Sequence, residues 1–158
     1  SSELLDIYLH QLLNLPRNKS ITGSRKLLSI DELRALSSIP NITISSHSMS
    51  HNILSELPLE WLRWEIKLSQ KYIKEINGNT SLFCYPFGYK YSFSKLVQSI
   101  LIENGVKYSF TTISTIINKK SIPLALGRIG MLNDSDRGYV MGTVKGAFQL
   151  WDILLRRI

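Results

Sequence analysis

The sequence is poor in cysteine, and this excludes two kinds of stabilising cross-link. Cys84 is the single cysteine among 158 residues, so neither an internal disulfide nor a cysteine-based zinc cluster can form. No run of residues approaches the ~18 apolar positions that a membrane span requires. No basic start followed by an apolar core marks a signal peptide, so the sequence does not indicate a localisation.

Acidic residues are also under-represented. The chain has 19 Lys and Arg against 12 Asp and Glu, which gives a formal net charge of +7. The basic residues are scattered along the chain, and neither an aromatic–glycine signature nor a basic arm supports a nucleic-acid partner. The same charge suits an anionic glycan or a membrane surface.

The length and patterning favour one α/β domain over residues 1–158. Hydrophobic residues make up 44% and charged residues 20% of the chain, as in ordinary globular proteins. A capping-box pattern, S-x-x-E, begins at Ser29. Alternation of helices and strands predicts parallel strands with helices packed outside them. The predicted order is helix 3–15, helix 29–37, strand 41–46, helix 59–76, strand 81–85, helix 92–104, strands 106–112 and 124–130, and helix 136–158.

Two of the three histidines, His47 and His51, stand four residues apart in the stretch ISSHSMSHNIL. Neutral imidazole is a good ligand for zinc and similar ions, and this spacing allows both rings to reach one ion. The spacing alone is equally typical of a polar loop with two solvated histidines. Because the pair follows a predicted strand, where sites gather in α/β folds, it is a candidate metal site.

A catalytic zinc needs three protein ligands, and the third is not obvious in the sequence. His10 lies in a predicted amphipathic helix. Asp31 and Glu32 belong to a helix start, and Asp134 and Asp136 are best explained as helix caps.

A second motif, Tyr85-Pro86-Phe87-Gly88, follows the next predicted strand. The two motifs, in this order and joined by an amphipathic helix, resemble the histidine and aromatic–Pro–aromatic–Gly motifs of the polysaccharide deacetylase (NodB-homology) family. The segments LSIDELRAL, ENGVKYSFTT and LALGRIGM fit the same family. The resemblance covers residues 27–132, and residues 136–158 would form a carboxyl-terminal helix beyond it.

The resemblance implies a distorted (β/α) barrel and metal-dependent removal of acetyl groups from the N-acetylated sugars of a polysaccharide. It implies that His47 and His51 are two of three ligands of a divalent metal, with zinc as the expected ion. It also places Tyr85, Pro86 and Phe87 at the substrate groove, where a backbone N–H could help to hold an oxyanion. Aromatic packing around a tight turn is the alternative role for Tyr85 and Phe87.

The sequence departs from the family at the catalytic aspartates. The family's T-F-D-D-G motif supplies the general base and the third ligand, and no Asp-Asp pair occurs in these 158 residues. Cys84 stands where many members have arginine, and no histidine follows His51 to act as general acid. We therefore expect an incomplete barrel that lacks its first strand or strands, with catalytic residues that cannot be assigned.

An incomplete barrel would leave a strand edge and apolar surface open. The chain is then expected to pair with an amino-terminal segment or to associate with itself, and to be weak or inactive alone. The alternative function is a non-catalytic remnant of the fold that binds a glycan or a protein partner. The resemblance is compatible with either the bacterial cell envelope or the cytoplasm.

Overall fold

The computed structural model describes residues 27–130, residues 137–144 and Gly146. The predicted helix over 3–15 lies outside the described residues, as does most of the predicted helix over 136–158. The described helices and strands, in chain order, are α1 (Ile30–Ser37), α2 (Leu59–Glu75), β1 (Leu82–Cys84), α3 (Lys95–Glu103), β2 (Tyr108–Phe110) and α4 (Arg137–Val144). Short 3-10 turns occupy Leu54–Glu56 and Pro123–Ala125. None of the described helices is long and apolar enough to cross a membrane.

Local hydrogen bonds explain where the helices begin and end. At the start of α1 the Ser29 hydroxyl accepts from the Glu32 amide, and the Glu32 carboxylate accepts from the Ser29 amide, which confirms the predicted capping box. At the end of α3 the chain turns through Gly105, whose φ of +82° suits a residue without a Cβ. The predicted boundaries of α2 are correct to within one residue.

The predicted parallel sheet is present but short. β1 and β2 pair in parallel, with Leu82 opposite Tyr108 and Cys84 opposite Phe110. A single bridge residue extends the sheet on each side: Ser46 beside Phe83, and Leu126 beside Phe110. The four parallel segments therefore lie side by side in chain order, with their carboxyl ends at one edge.

The prediction of a strand over 124–130 is wrong for most of that stretch. Residues Pro123–Ala125 form a 3-10 turn, and only Leu126 bridges to the sheet. Proline carries no N–H and has a fixed φ, so a Pro at the first helical position favours a turn over a strand. The predicted strand over 41–46 is likewise reduced to one bridge residue, Ser46.

The hydrophobic core lies between the sheet and helices α2 and α3. Phe83 is fully buried in β1, and its neighbours Leu82 and Cys84 point to the opposite face, where they keep part of their surface exposed. The sheet therefore has one covered face and one partly open face within the described residues. The core residues are Leu54, Leu62, Ile66, Phe83, Tyr85, Val97, Ile100, Leu101, Val106 and Leu124.

Candidate metal centre

The two candidate histidines lie in a tight loop at the carboxyl end of the segment that bridges to β1. Ser48 and His51 both adopt left-handed backbone conformations, with φ of +66° and +58°. The Ser48 hydroxyl accepts a hydrogen bond from the His51 amide at 3.1 Å, as in a serine turn. The loop thus folds His51 back toward His47, and the ring centroids lie 4.8 Å apart at an interplanar angle of 76°.

A backbone carbonyl fixes the orientation of the His47 ring. Its Nδ1 lies 2.8 Å from the carbonyl oxygen of Cys84, the last residue of β1. A carbonyl oxygen can only accept, so Nδ1 carries a proton, and in the neutral ring Nε2 has a lone pair available to an ion. Metal-binding histidines are usually held in this way, with the second ring nitrogen donating to a carbonyl or carboxylate.

A buried carboxylate supports the same loop from helix α2. Glu65, only 1% exposed, accepts from the amides of Met49 at 2.7 Å and Ser50 at 3.1 Å, and from the Ser50 hydroxyl. Burial by itself would raise the pKa of the Glu65 carboxyl, but these hydrogen bonds outweigh it and hold the pKa below its ordinary value. The sequence analysis missed Glu65. The available signal was an acidic residue between Leu62 and Ile66 on the apolar stripe of the helix.

The turn after β1 separates the three predicted groove residues. Tyr85 is fully buried: its ring stacks on Phe93 at a centroid distance of 4.5 Å, and its hydroxyl donates to the Leu124 carbonyl at 2.8 Å. Burial raises the pKa of Tyr85 to about 12. Pro86 is buried as well. The side chain of Tyr85 therefore adopts the packing role that the sequence left open as an alternative.

Phe87, in contrast, stands at the surface beside the histidines. It is 47% exposed, has a φ of +61°, and meets His51 edge-on at a centroid distance of 5.0 Å. Gly88 follows it with a φ of +68°, and a Cβ there would lie 2.7 Å from the amide nitrogen of Thr112. The close approach of two backbones at Gly88 thus holds the turn against the chain after β2 and presents Phe87 outward.

The geometry of the histidine pair suits one shared ion. Two imidazoles bound to one zinc at about 2.0–2.1 Å have ring centroids roughly 5 Å apart, and the observed 4.8 Å agrees with that separation. Both rings are also exposed, so an ion and a substrate can reach them. The residues present therefore fit part of a metal centre.

A third ligand is not found in the described part of the chain, where no group of three His, Cys, Asp or Glu side chains converges. Cys84 lies close by, but burial raises the pKa of its thiol against the opposing effects of Arg128 and Ser45, which favours the neutral thiol over the thiolate. On α1, Glu32 caps the helix and Asp31 pairs with Arg34 at 3.0 Å. His10, Asp134 and Asp136 lie outside the described residues.

Comparisons with known proteins agree with the two motifs. The sequence model of the family described as polysaccharide deacetylase matches residues 21–120. Among solved structures, the chain is similar to the Streptococcus pyogenes deacetylase PplD in complex with acetate, with a TM-score of 0.67 and 23% identity. That likeness covers 77% of this chain and 52% of the streptococcal chain, so this chain spans about half the length of that protein. No match is found among curated proteins.

The structural likeness shows the deacetylase fold, with its helices and small parallel sheet. The family match covers well over half of the chain and includes both the histidine loop and the Y-P-F-G turn. On these two findings, the chain belongs to the polysaccharide deacetylase family.

Proposed function

We propose that this chain contributes part of the active site for metal-dependent removal of acetyl groups from the N-acetylated sugars of a polysaccharide. His47 and His51 are two of the ligands of a divalent ion, and zinc suits their imidazole nitrogens. The observation that carries the proposal is the convergence of the two exposed rings, with Nδ1 of His47 tied to the Cys84 carbonyl and Nε2 left free.

A bound divalent ion would supply Lewis-acid polarisation of the acetamide carbonyl and a water of lowered pKa. The chain's own residues position that chemistry. The end of β1 orients His47, and the serine turn orients His51. Phe87 covers one side of His51 with an apolar ring and lines the approach of the substrate.

The amide N–H groups of the Y-P-F-G turn have different partners. The Tyr85 amide already donates to the Phe110 carbonyl at 3.1 Å. In the described part of the chain, the Phe87 amide has no acceptor. We therefore assign Phe87, rather than Tyr85, as the backbone donor available to an oxygen that gains negative charge during deacetylation.

The remaining parts of the reaction have no assigned residue in this chain. No Asp-Asp pair occurs among the 158 residues, so the expected general base and third ligand are missing from them. We propose that the isolated chain is weak or inactive and that the described sheet is part of a distorted barrel. Residues 1–158 would then form a single partial domain.

A strand from an amino-terminal segment, or from a second copy, is the partner that this arrangement suits. In the described part of the chain, the segment around Ser46 pairs on one side only, with Phe83. A parallel strand added beside it would bring its carboxyl end next to His47, because the carboxyl ends of parallel strands meet at one edge. That is where further ligands are needed.

Zinc binding tests the proposal directly. The 158-residue chain is titrated with zinc by isothermal titration calorimetry, alone and as His47→Ala and His51→Ala, with His10→Ala as the control that removes the third histidine. Each substitution in the pair should abolish the zinc binding of the chain, and the control should leave it unchanged. Equal zinc binding by His47→Ala and the unmodified chain would overturn the two-histidine site.

A second function, a non-catalytic remnant that binds a glycan or a protein partner, has one observation in its favour. Only two candidate ligands converge within the described residues. A remnant should bind no zinc in the same titration, and it should keep its binding of the glycan or protein partner when His51 is replaced. Acetate release from an N-acetylated glycan, measured with and without an added amino-terminal segment bearing an Asp-Asp pair, separates the two functions further.

A further inference from the structure

Helix α2 buries three polar side chains beside its apolar ones: Glu65, Ser69 and Gln70. Leu62 and Ile66 pack in the core, while Glu65 and Ser69 are buried on the same side of the helix at 1% and 4% exposure. Residues four apart are neighbours on the surface of a helix, so Glu65 and Ser69 lie next to each other, one turn apart. Burying a carboxylate costs free energy unless it is well hydrogen-bonded, so this arrangement calls for a partner.

Both members of the pair bond to the stretch that carries the histidines. Ser69 accepts at 2.7 Å from the hydroxyl of Ser46, the residue directly before His47. Glu65 accepts from the amides of Met49 and Ser50, which lie between His47 and His51. One helix face therefore holds the base of the loop through Ser69 and its tip through Glu65.

The loop needs this support because its backbone is unfavourable. Ser48 and His51 flank the segment that Glu65 binds, and both have positive φ although neither is glycine. Such conformations cost of order 1 kcal/mol each and persist where the surroundings hold them. The Glu65 carboxylate has acceptor capacity for the two amides and the Ser50 hydroxyl together, which no neutral side chain of the same size offers equally well.

We infer that Glu65 is a positioning residue for the histidine pair: its carboxylate holds the Met49–Ser50 backbone so that the His47 and His51 rings face one ion. This inference rests on the proposed metal site. Glu65 touches neither ring and acts only through the loop. Its removal should leave the core intact, since Met49 and Ser50 are exposed and water can take over their amides.

The test compares three variants of the full chain in the zinc titration. Glu65→Ala should weaken zinc binding by about 10–100-fold, the usual effect of losing an outer-shell partner. Glu65→Gln should recover most of the affinity, because the amide oxygen can accept from the backbone and the amide nitrogen can donate to the Ser50 hydroxyl. Glu60→Ala, an exposed position on the same helix, should match the unmodified chain.

Hydrogen–deuterium exchange measures the protection of the loop amides in the absence of metal. The amides of Met49 and Ser50 should exchange slowly with deuterium in the unmodified chain, although their side chains are exposed, and rapidly in Glu65→Ala. Amides of the α2 core face, such as Ile66, should stay protected in both proteins, which separates loop release from unfolding.

The outcomes distinguish this inference from the proposed function. If the unmodified chain binds zinc through His47 and Glu65→Ala binds it equally tightly, the positioning role is wrong and the metal site stands. If the unmodified chain binds no zinc, the metal site and the role of Glu65 both fail. Protection of Met49 and Ser50 that survives in Glu65→Ala would also overturn the inference.

Discussion

Replacement of Tyr85 by phenylalanine distinguishes a groove residue from a core residue. The ring would keep its stacking on Phe93, and only the hydroxyl that donates to the Leu124 carbonyl at 2.8 Å would be lost. A buried neutral hydrogen bond contributes about 0.5–1.5 kcal/mol. The side-chain amide of Gln98 also donates to the Leu124 carbonyl, at 3.3 Å, so that oxygen would keep one partner. We therefore expect a loss near 1 kcal/mol in the free energy of unfolding, not the larger cost of an orphaned carbonyl.

The assay is thermal and urea unfolding followed by circular dichroism. For a chain of this size, a loss of 1 kcal/mol lowers Tm by about 2–4 °C. Tyr108→Phe is the matched control, because Tyr108 is 47% exposed and its hydroxyl lies outside the core; its free energy of unfolding should change by less than about 0.5 kcal/mol. Unchanged stability in Tyr85→Phe together with a loss of glycan binding would refute the core role and restore the groove role.

The difference in stability between the unmodified chain and Tyr85→Phe should depend on pH. Burial raises the pKa of Tyr85 to about 12, from an ordinary value of 10.0. Because the folded state favours the protonated phenol, the stability that this hydroxyl contributes is fully present below pH 10 and is lost as the pH rises toward 12. The free energy of unfolding of the unmodified chain then falls by about 2–3 kcal/mol, at 1.36 kcal/mol per pKa unit. The order of stability of the two proteins should therefore reverse near pH 11, and parallel curves through that range would contradict a buried Tyr85 hydroxyl.

Two further predictions concern the neighbours of Tyr85. Gly88→Ala should destabilise the chain more than Gly105→Ala in the same unfolding assay: both glycines have positive φ, but a Cβ at Gly88 meets the Thr112 amide nitrogen at 2.7 Å, whereas one at Gly105 meets nothing within 4 Å. Equal losses of stability in the two variants would contradict a close backbone contact that resists a Cβ at Gly88. Burial raises the pKa of the Cys84 thiol, so alkylation by iodoacetamide at pH 8 should be slower in the folded chain than in urea, and equal rates would contradict the partial burial of this side chain.

Local chemistry was sufficient to predict α1 and α2 from the sequence. The Ser29–Glu32 capping box is a reciprocal pair of short-range bonds, so it needs no tertiary contact to be recognised. The apolar stripe of α2 is long and regular, and its boundaries follow from Pro58 and the turn before Gly78. The strands were harder to predict, because only three-residue segments pair and the outer two positions depend on one bridge residue each.

The roles of the Y-P-F-G residues could have been separated by strand periodicity. Side chains alternate between the two faces of a strand, so Tyr85 lies on the same side as Phe83, which is the apolar centre of β1. That side faces the helices, and both rings are fully buried there. The exposure of Phe87 follows instead from its positive φ after Pro86, a conformation set by the tight turn and invisible to periodicity.

The histidine loop shows why spacing alone did not predict its geometry. His47 and His51 are four residues apart, as on one face of a helix, yet they converge through a turn with left-handed residues at Ser48 and His51. A short loop of this kind, with an unfavourable backbone, is defined by what surrounds it. The Cys84 carbonyl orients one ring from the sheet, and Glu65 holds the loop tip from α2. Both supports come from elements that also form the core, so the orientation of the rings depends on core packing. Such coupling is what a metal centre needs, since ligands must be placed to within a few tenths of an ångström before an ion arrives. If the pair binds a metal as proposed, its rings are arranged in advance by residues distant in sequence. A completing ligand would then approach from the side of the Ser46 segment that is unpaired within the described residues.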